Sequence, residues 1–148
     1  MLAVSATPAA AVAVYPCGSL NRMDIIWEPW EQHSKTFYEG QVRVSLIDTW
    51  GEPACCSMHI AVLMPPPEDE PGMAVACFAV SATAGTEEAH GMGFSGIGWD
   101  KLKTEYDASR GLLISFPYGV YDADTGSSRP GGIAKVRINM AERTIKPE

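Results

Sequence analysis

Four basic side chains, Lys101, Lys103, Lys135 and Arg137, stand at alternate positions of two short segments, and this is the most specific chemical pattern in the chain. Residues two apart on an extended chain point the same way. If the two segments lie in one sheet with a shared strand between them, the four cations share one polar face, bordered by Tyr118 and Tyr121. Such a face suits a small anionic ligand or the acidic surface of a partner. Glu105 and Asp107 belong to the same face and partly neutralise it. A second arrangement is a pocket at one end of the molecule, framed by loops 83–98 and 122–132. There His90, Trp99 and Arg129 would converge on a small ligand or substrate.

Other motifs suggest chemistry that their surroundings do not support. Gly91 to Gly96 reads GMGFSG, matching the spacing of a dinucleotide-binding turn. That turn needs a strand directly before it and a helix starting on its last glycine, so that backbone N–H groups and the helix N-terminus meet a pyrophosphate. Here Thr83 to His90 intervenes before the motif, and Lys101 to Asp107 beyond it alternates like a strand. Asp122 to Gly126, DADTG, begins like a calcium loop but lacks the later oxygen ligands, with Arg129 and Pro130 where they would be wanted; it reads as a turn. His33, His59 and His90 have no metal-ligand spacing. Ser95 lacks the strand-turn-helix setting of a nucleophile. Cys17, Cys55, Cys56 and Cys77 contain no CxxC pair, and the adjacent two on a strand would face opposite ways, so all four are expected as buried free thiols. No cofactor, metal or catalytic residue is assigned.

The elements that must hold the basic face are strands. Lys101 to Asp107 alternates charged and uncharged residues, Asp107 to Gly111 supplies turn chemistry, and Leu112 to Phe116 is an apolar run, so the three make a β-hairpin. Gln41 to Ile47 and Cys55 to Met64, joined by the turn at Asp48 to Pro53, make another. Met73 to Ala82 is apolar on both faces and reads as a central strand covered on two sides or lying at a subunit contact. Ile133 to Met140 is a last strand with Lys135 and Arg137 on its polar face, and the tail after it is expected to fray. Met23 to Trp30 is a short strand cut off by Pro29; the alternative is a helix over residues 29–39, with Pro29 at its first position and Gly40 as its stop. Pro65 to Gly72 is an exposed loop. The pattern predicts a mainly β fold: a single antiparallel β-sandwich or squat barrel of six to seven strands, with at most one short N-terminal helix. The whole chain, 1–148, reads as one domain with a loosely ordered segment 1–20.

Composition narrows the function classes. Eighteen acidic against eleven basic residues give a net charge of −7, which opposes nonspecific nucleic-acid binding. The charge is asymmetric: residues 1–100 sum to −9 and residues 101–148 to +2. Strands from the two halves lying side by side would let these charges complement each other. No run reaches the ~20 apolar residues of a membrane helix, and no basic residue precedes the apolar start, so the expected setting is cytoplasmic, with no membrane partner. The expectation is a noncatalytic binding or assembly module, with a protein partner or self-association. The alternative is a small-ligand-binding protein or enzyme using the loop-framed pocket.

Overall fold

The alternation in the sequence becomes two antiparallel sheets packed face to face, in a computed structural model that describes residues 12–50, 55–70, 72 and 75–148. The first sheet contains β1 (Ala13–Pro16), β2 (Ser34–Phe37), β3 (Val42–Asp48), β4 (Met58–Met64) and β5 (Ala76–Ser81), in the order β1-β5-β4-β3-β2. The second contains β6 (Gly96–Ile97), β7 (Lys103–Asp107), β8 (Gly111–Asp122), β9 (Ser127–Asn139) and β10 (Thr144–Pro147). Its order is β10-β9-β8, with β6 and β7 both pairing along the far side of β8. Among the described residues both sheets keep free edges, so the fold is a sandwich and not a closed barrel.

Period-two alternation drives the packing. Val42, Val44 and Leu46 of β3, Ile60, Val62 and Met64 of β4, and Val80 of β5 point inward. They meet Ile114 and Phe116 of β8 and Val136 and Ile138 of β9 in one core, with Phe94 and Trp99 closing it. Tyr38, at the turn between β2 and β3, ties the sheets together: its hydroxyl donates to the Ile138 carbonyl at 3.0 Å and accepts from the Leu112 N–H at 3.0 Å.

β5 is apolar on both faces for a local reason. The segment after β1 folds over the outer face of the first sheet, where Cys17, Leu20 and Ile25 form a second cluster with Tyr15, Ile47, Ala61 and Ala79. A Cys17–Cys77 disulfide pins this cover to β5, with the Cα atoms 5.3 Å apart. The free-thiol expectation fails here because the cover returns one cysteine against another far away in sequence. At Cys56 the backbone has φ +86, which breaks the strand alternation expected to turn it away from Cys55.

Several expected boundaries shift. Residues 29–33 form turns, and 34–37 are a strand, so no helix covers this end; the only helical turns among the described residues are three-residue 3₁₀ segments. Gly40, with φ +87, closes a hairpin turn instead of a helix. Most of 122–132 is not a loop. β8 and β9 run past a bulge beside Gly119 to a tight turn, where the Gly126 N–H donates to the Asp122 carbonyl at 2.8 Å. The tail pairs as β10, because Ile145 finds an inward position opposite Ile138. The two charge halves do not share a sheet: residues 13–81 build one and 96–147 the other, so the asymmetry lies between sheets. The expected disorder of residues 1–11, the turn at 51–54 and the strand start at Met73 and Ala74 lie outside the described residues.

Candidate functional site: the outer face of the second sheet

The register of β7, β8, β9 and β10 decides which charges are neighbours. Lys103 stands beside Ser115, and Ser115 beside Lys135. One row along, Glu105 stands beside Leu113, Leu113 beside Arg137, and Arg137 beside Lys146. Three of the four expected cations therefore share one face across the shared strand. Lys101 sits just outside it, in the turn Trp99–Lys101 that precedes β7.

The strongest feature of this face involves two residues that the sequence pattern did not single out. Arg137 Nε donates to Glu148 Oε2 at 2.7 Å and its Nη2 to Oε1 at 2.8 Å, while Arg110 Nη2 reaches the same Oε1 at 2.6 Å. Arg137 Nη1 also donates to the Gly111 carbonyl at 3.1 Å, which holds the guanidinium in place. Two guanidiniums thus converge on one carboxylate, one of them in the bidentate geometry that suits carboxylates and phosphates. Hydrogen bonds from Arg137, and then from Arg110, hold the Glu148 carboxyl down at about 2; the Arg137 guanidinium is raised in turn. The surrounding depression is about 280 Å³, lined among others by Ser109, Asn139, Thr144 and Lys146. Arg137 has a side chain only 13% exposed and Arg110 one 58% exposed, so the first is packed into the sheet surface and the second reaches the carboxylate from the solvent side.

Arg110 is carried by the β7–β8 turn, which Asp107 organises. Its Oδ1 accepts from the Ser109 hydroxyl and from the backbone N–H groups of Ser109 and Arg110, and these bonds lower its carboxyl from the usual range. Glu148 is positioned by its own N–H, which donates to the Lys135 carbonyl at 2.9 Å. Sequence reading missed Arg110 because it reads as turn chemistry and Glu148 because it follows the last clear strand. The alternation Thr144, Ile145, Lys146 was the available signal for that added strand.

The other expected residues lie elsewhere. Tyr118 points into the sandwich, its ring 4.9 Å from that of Phe94, and packs over Gly131. Tyr121 is partly exposed near the hairpin tip, roughly 20 Å along the strand from Ser115 at ~3.3 Å per residue, so it does not border the cations. Arg129 faces Asp122 at 3.9 Å across the same hairpin. Trp99 is a core residue whose Nε1 donates to the Gln32 carbonyl at 2.8 Å, with Lys35 over its ring. His90 lies edge-on to His59 at 5.1 Å, over the outer face of the first sheet. His90, Trp99 and Arg129 are therefore not brought together, although loops 83–98 and 122–132 do touch where Ser95 meets Ser128.

His59 belongs to a buried polar chain. Its Nδ1 lies 2.6 Å from Ser81 Oγ, which lies 2.6 Å from the Tyr15 hydroxyl, and that hydroxyl accepts from the Gly91 N–H at 2.9 Å. The chain fastens the glycine-rich loop down onto the sheet. The glycines of GMGFSG are needed for that close approach: a Cβ on Gly91 would run into the Thr83 carbonyl, and one on Gly93 into the carbonyls of Cys56 and Met58. Gly96 then opens β6 instead of a helix.

Two further grooves are present. One, of about 360 Å³, is lined by Ile26, Glu28, Trp30, Ser34 and Arg43, with the Arg43 guanidinium 5.8 Å from the centre of the half-exposed Trp30 ring. The other, of about 440 Å³, lies between the β2–β3 turn and β7 and is lined by Phe37, Tyr38, Glu39, Gln41, Tyr106 and Leu112. No group of three or more His, Cys, Asp or Glu with metal-binding geometry occurs among the described residues, and none of their helices is long and apolar enough to cross a membrane. No protein-family model matches the chain, and no curated protein or solved structure matches it either.

Proposed function

We propose that the chain is a noncatalytic binding module whose second sheet receives an acidic group, from a partner protein or as a small anion, on its outer face. The observation that carries this reading is the convergence of Arg110 and Arg137 on a single carboxylate, flanked by Lys103, Lys135 and Lys146. In this reading the Glu148 side chain is a resident stand-in for the incoming group. It is displaced when a ligand with more negative charge arrives. The incoming group exchanges with Glu148 on the same two guanidiniums, so the hydrogen bonds lost by one carboxylate are regained by the other. Calorimetric titration of a hexaglutamate peptide into the protein tests it. Binding that weakens with added salt and drops about tenfold or more in Arg137→Gln is expected, since hydrogen bonds to charged groups contribute about 1.5–3 kcal/mol. Binding that is unchanged in Arg137→Gln would overturn the reading.

A second reading, a small-ligand-binding protein, rests on the groove of Glu28, Trp30, Ser34 and Arg43. Glu28 and Arg43 line one cleft yet form no ion pair among the described residues, beside an aromatic ring open to solvent. This groove replaces the loop-framed pocket as the site for that alternative. Quenching or a shift of tryptophan fluorescence by a small polar ligand, lost in Trp30→Ala, is its test.

The cysteines bear on the compartment. Disulfides persist in oxidising surroundings and are rare in the cytosol. The Cys17–Cys77 bridge therefore supports an oxidising compartment over the cytoplasmic setting expected from the sequence. Alkylation of the protein in cell lysate before any reduction is the check; modification of both cysteines would restore the cytoplasmic reading.

A further inference from the structure

We propose that two copies of the chain pair edge to edge through β7, joining their second sheets into one continuous sheet. Among the described residues β7 bonds to β8 on one side only, and all five of its residues are exposed, Tyr106 by 65%. An unpaired strand edge of this kind is a template for another strand. Two of the other edge strands, β1 and β10, are four residues long and end in proline, Pro16 and Pro147, which cannot donate to a ladder.

The sequence of this edge is complementary to itself. Residues 101–107 read Lys-Leu-Lys-Thr-Glu-Tyr-Asp. An antiparallel pair centred on Thr104 sets Lys103 opposite Glu105 of the partner subunit and Leu102 opposite Tyr106 of the partner subunit, with Lys101, in the turn before β7, at the rim near Asp107 of the partner subunit. Each pair occurs twice by symmetry. Every charge meets its opposite and every apolar residue meets an apolar one, as an isologous two-fold interface requires. Lysines on an edge ordinarily discourage pairing; here the acids at 105 and 107 turn the same lysines into a register signal. Moving the centre by one residue to Glu105 would set that acid against its own copy. Leu102 already has extended backbone angles, φ −62 and ψ 128, and can continue the strand. The groove of Phe37, Tyr38, Tyr106 and Leu112 lies beside this edge, where the Leu102–Tyr106 pairs would cover it.

This interface goes beyond the anion-binding reading and is measured separately, by mass instead of by affinity for an acidic peptide. Size-exclusion chromatography with light scattering of the wild-type protein at tens of micromolar is expected to give twice the chain mass of 15.9 kDa. Lys103→Glu and Glu105→Lys each place like charges opposite one another twice, and each is expected to weaken dimerisation by about tenfold or more. An equimolar mixture of the two single variants restores complementary pairs and is expected to dimerise, as is the double variant K103E/E105K on its own. Far-UV circular dichroism of the single variants separates loss of pairing from loss of folding, and recovery in the mixture does so independently. A monomeric wild type, single variants that dimerise as well as the wild type, or a double variant that stays monomeric would each overturn the proposal.

Discussion

Replacing Cys17 and Cys77 together by alanine isolates the contribution of the bridge that holds the cover onto the first sheet. The two cysteines are 60 residues apart, and the loop they close contains β2, β3 and β4. Loop-closure entropy for a ring of that size corresponds to about 4 kcal/mol at 25 °C, and measured bridges usually contribute about 2–4 kcal/mol. Part of the cover survives without the bond, because the Cys17 N–H still donates to the carbonyl of residue 77 at 3.0 Å and Leu20 and Ile25 remain buried. The expected loss is therefore about 2–4 kcal/mol, or roughly 5–15 °C in Tm for a chain of this size. Urea unfolding of the double variant beside the wild type measures it, and wild-type protein in reductant should reproduce most of the shift. A loss below about 1 kcal/mol would refute the reasoning, since it would mean that the bridge does not constrain the unfolded chain.

Glu148→Gln removes the resident carboxylate from between Arg110 and Arg137. With that competitor neutralised, hexaglutamate should bind the variant at least about twofold to fivefold more tightly in calorimetry, the factor for a contact of about 0.5–1 kcal/mol; unchanged affinity would mean that Glu148 does not compete for the site. The Glu148 carboxyl titrates at about 2, below its unfolded value, so the contact contributes fully at neutral pH and is lost as the pH falls through the ordinary glutamate range toward about 2. Carboxyl-carbon NMR gives the midpoint, and one in the ordinary glutamate range would contradict the pairing. Tyr38→Phe deprives the Leu112 N–H and the Ile138 carbonyl of their shared hydroxyl, and should cost about 1–3 kcal/mol in urea unfolding. Gly91→Ala drives a methyl group into the backbone of Thr83 and Ala84 and should cost about 1–3 kcal/mol. Hydrogen exchange should localise that damage to the 83–93 loop; equal protection in both proteins would show that the loop accommodates the methyl.

The strands with clean alternation were readable because a period of two depends only on which residues face the core. Val42 to Leu46, Ile60 to Met64 and Leu112 to Phe116 needed no knowledge of their partners. The same logic brought Lys103, Lys135 and Arg137 to one face, since only a shared middle strand was required. Short strands were less readable. β2 contains Ser34, Lys35 and Thr36, and its strand character comes from pairing with β3 and not from its own apolar face. Thr144 to Pro147 offered one apolar residue, Ile145, too little to show a strand without β9 beside it.

By itself, the sequence determined a mainly β chain with inward and outward faces, because burial of alternate side chains is local. It also spoke against a nucleotide loop at GMGFSG, because that motif is defined by its immediate neighbours. Only the tertiary structure decided that the acidic and basic halves form separate sheets, that Cys17 meets Cys77, that Trp99 and Tyr118 serve the core, and that Arg110 and Arg137 share one carboxylate. Each of these depends on which distant segments come together, and that is set by packing between elements, which leaves no periodic trace along the chain.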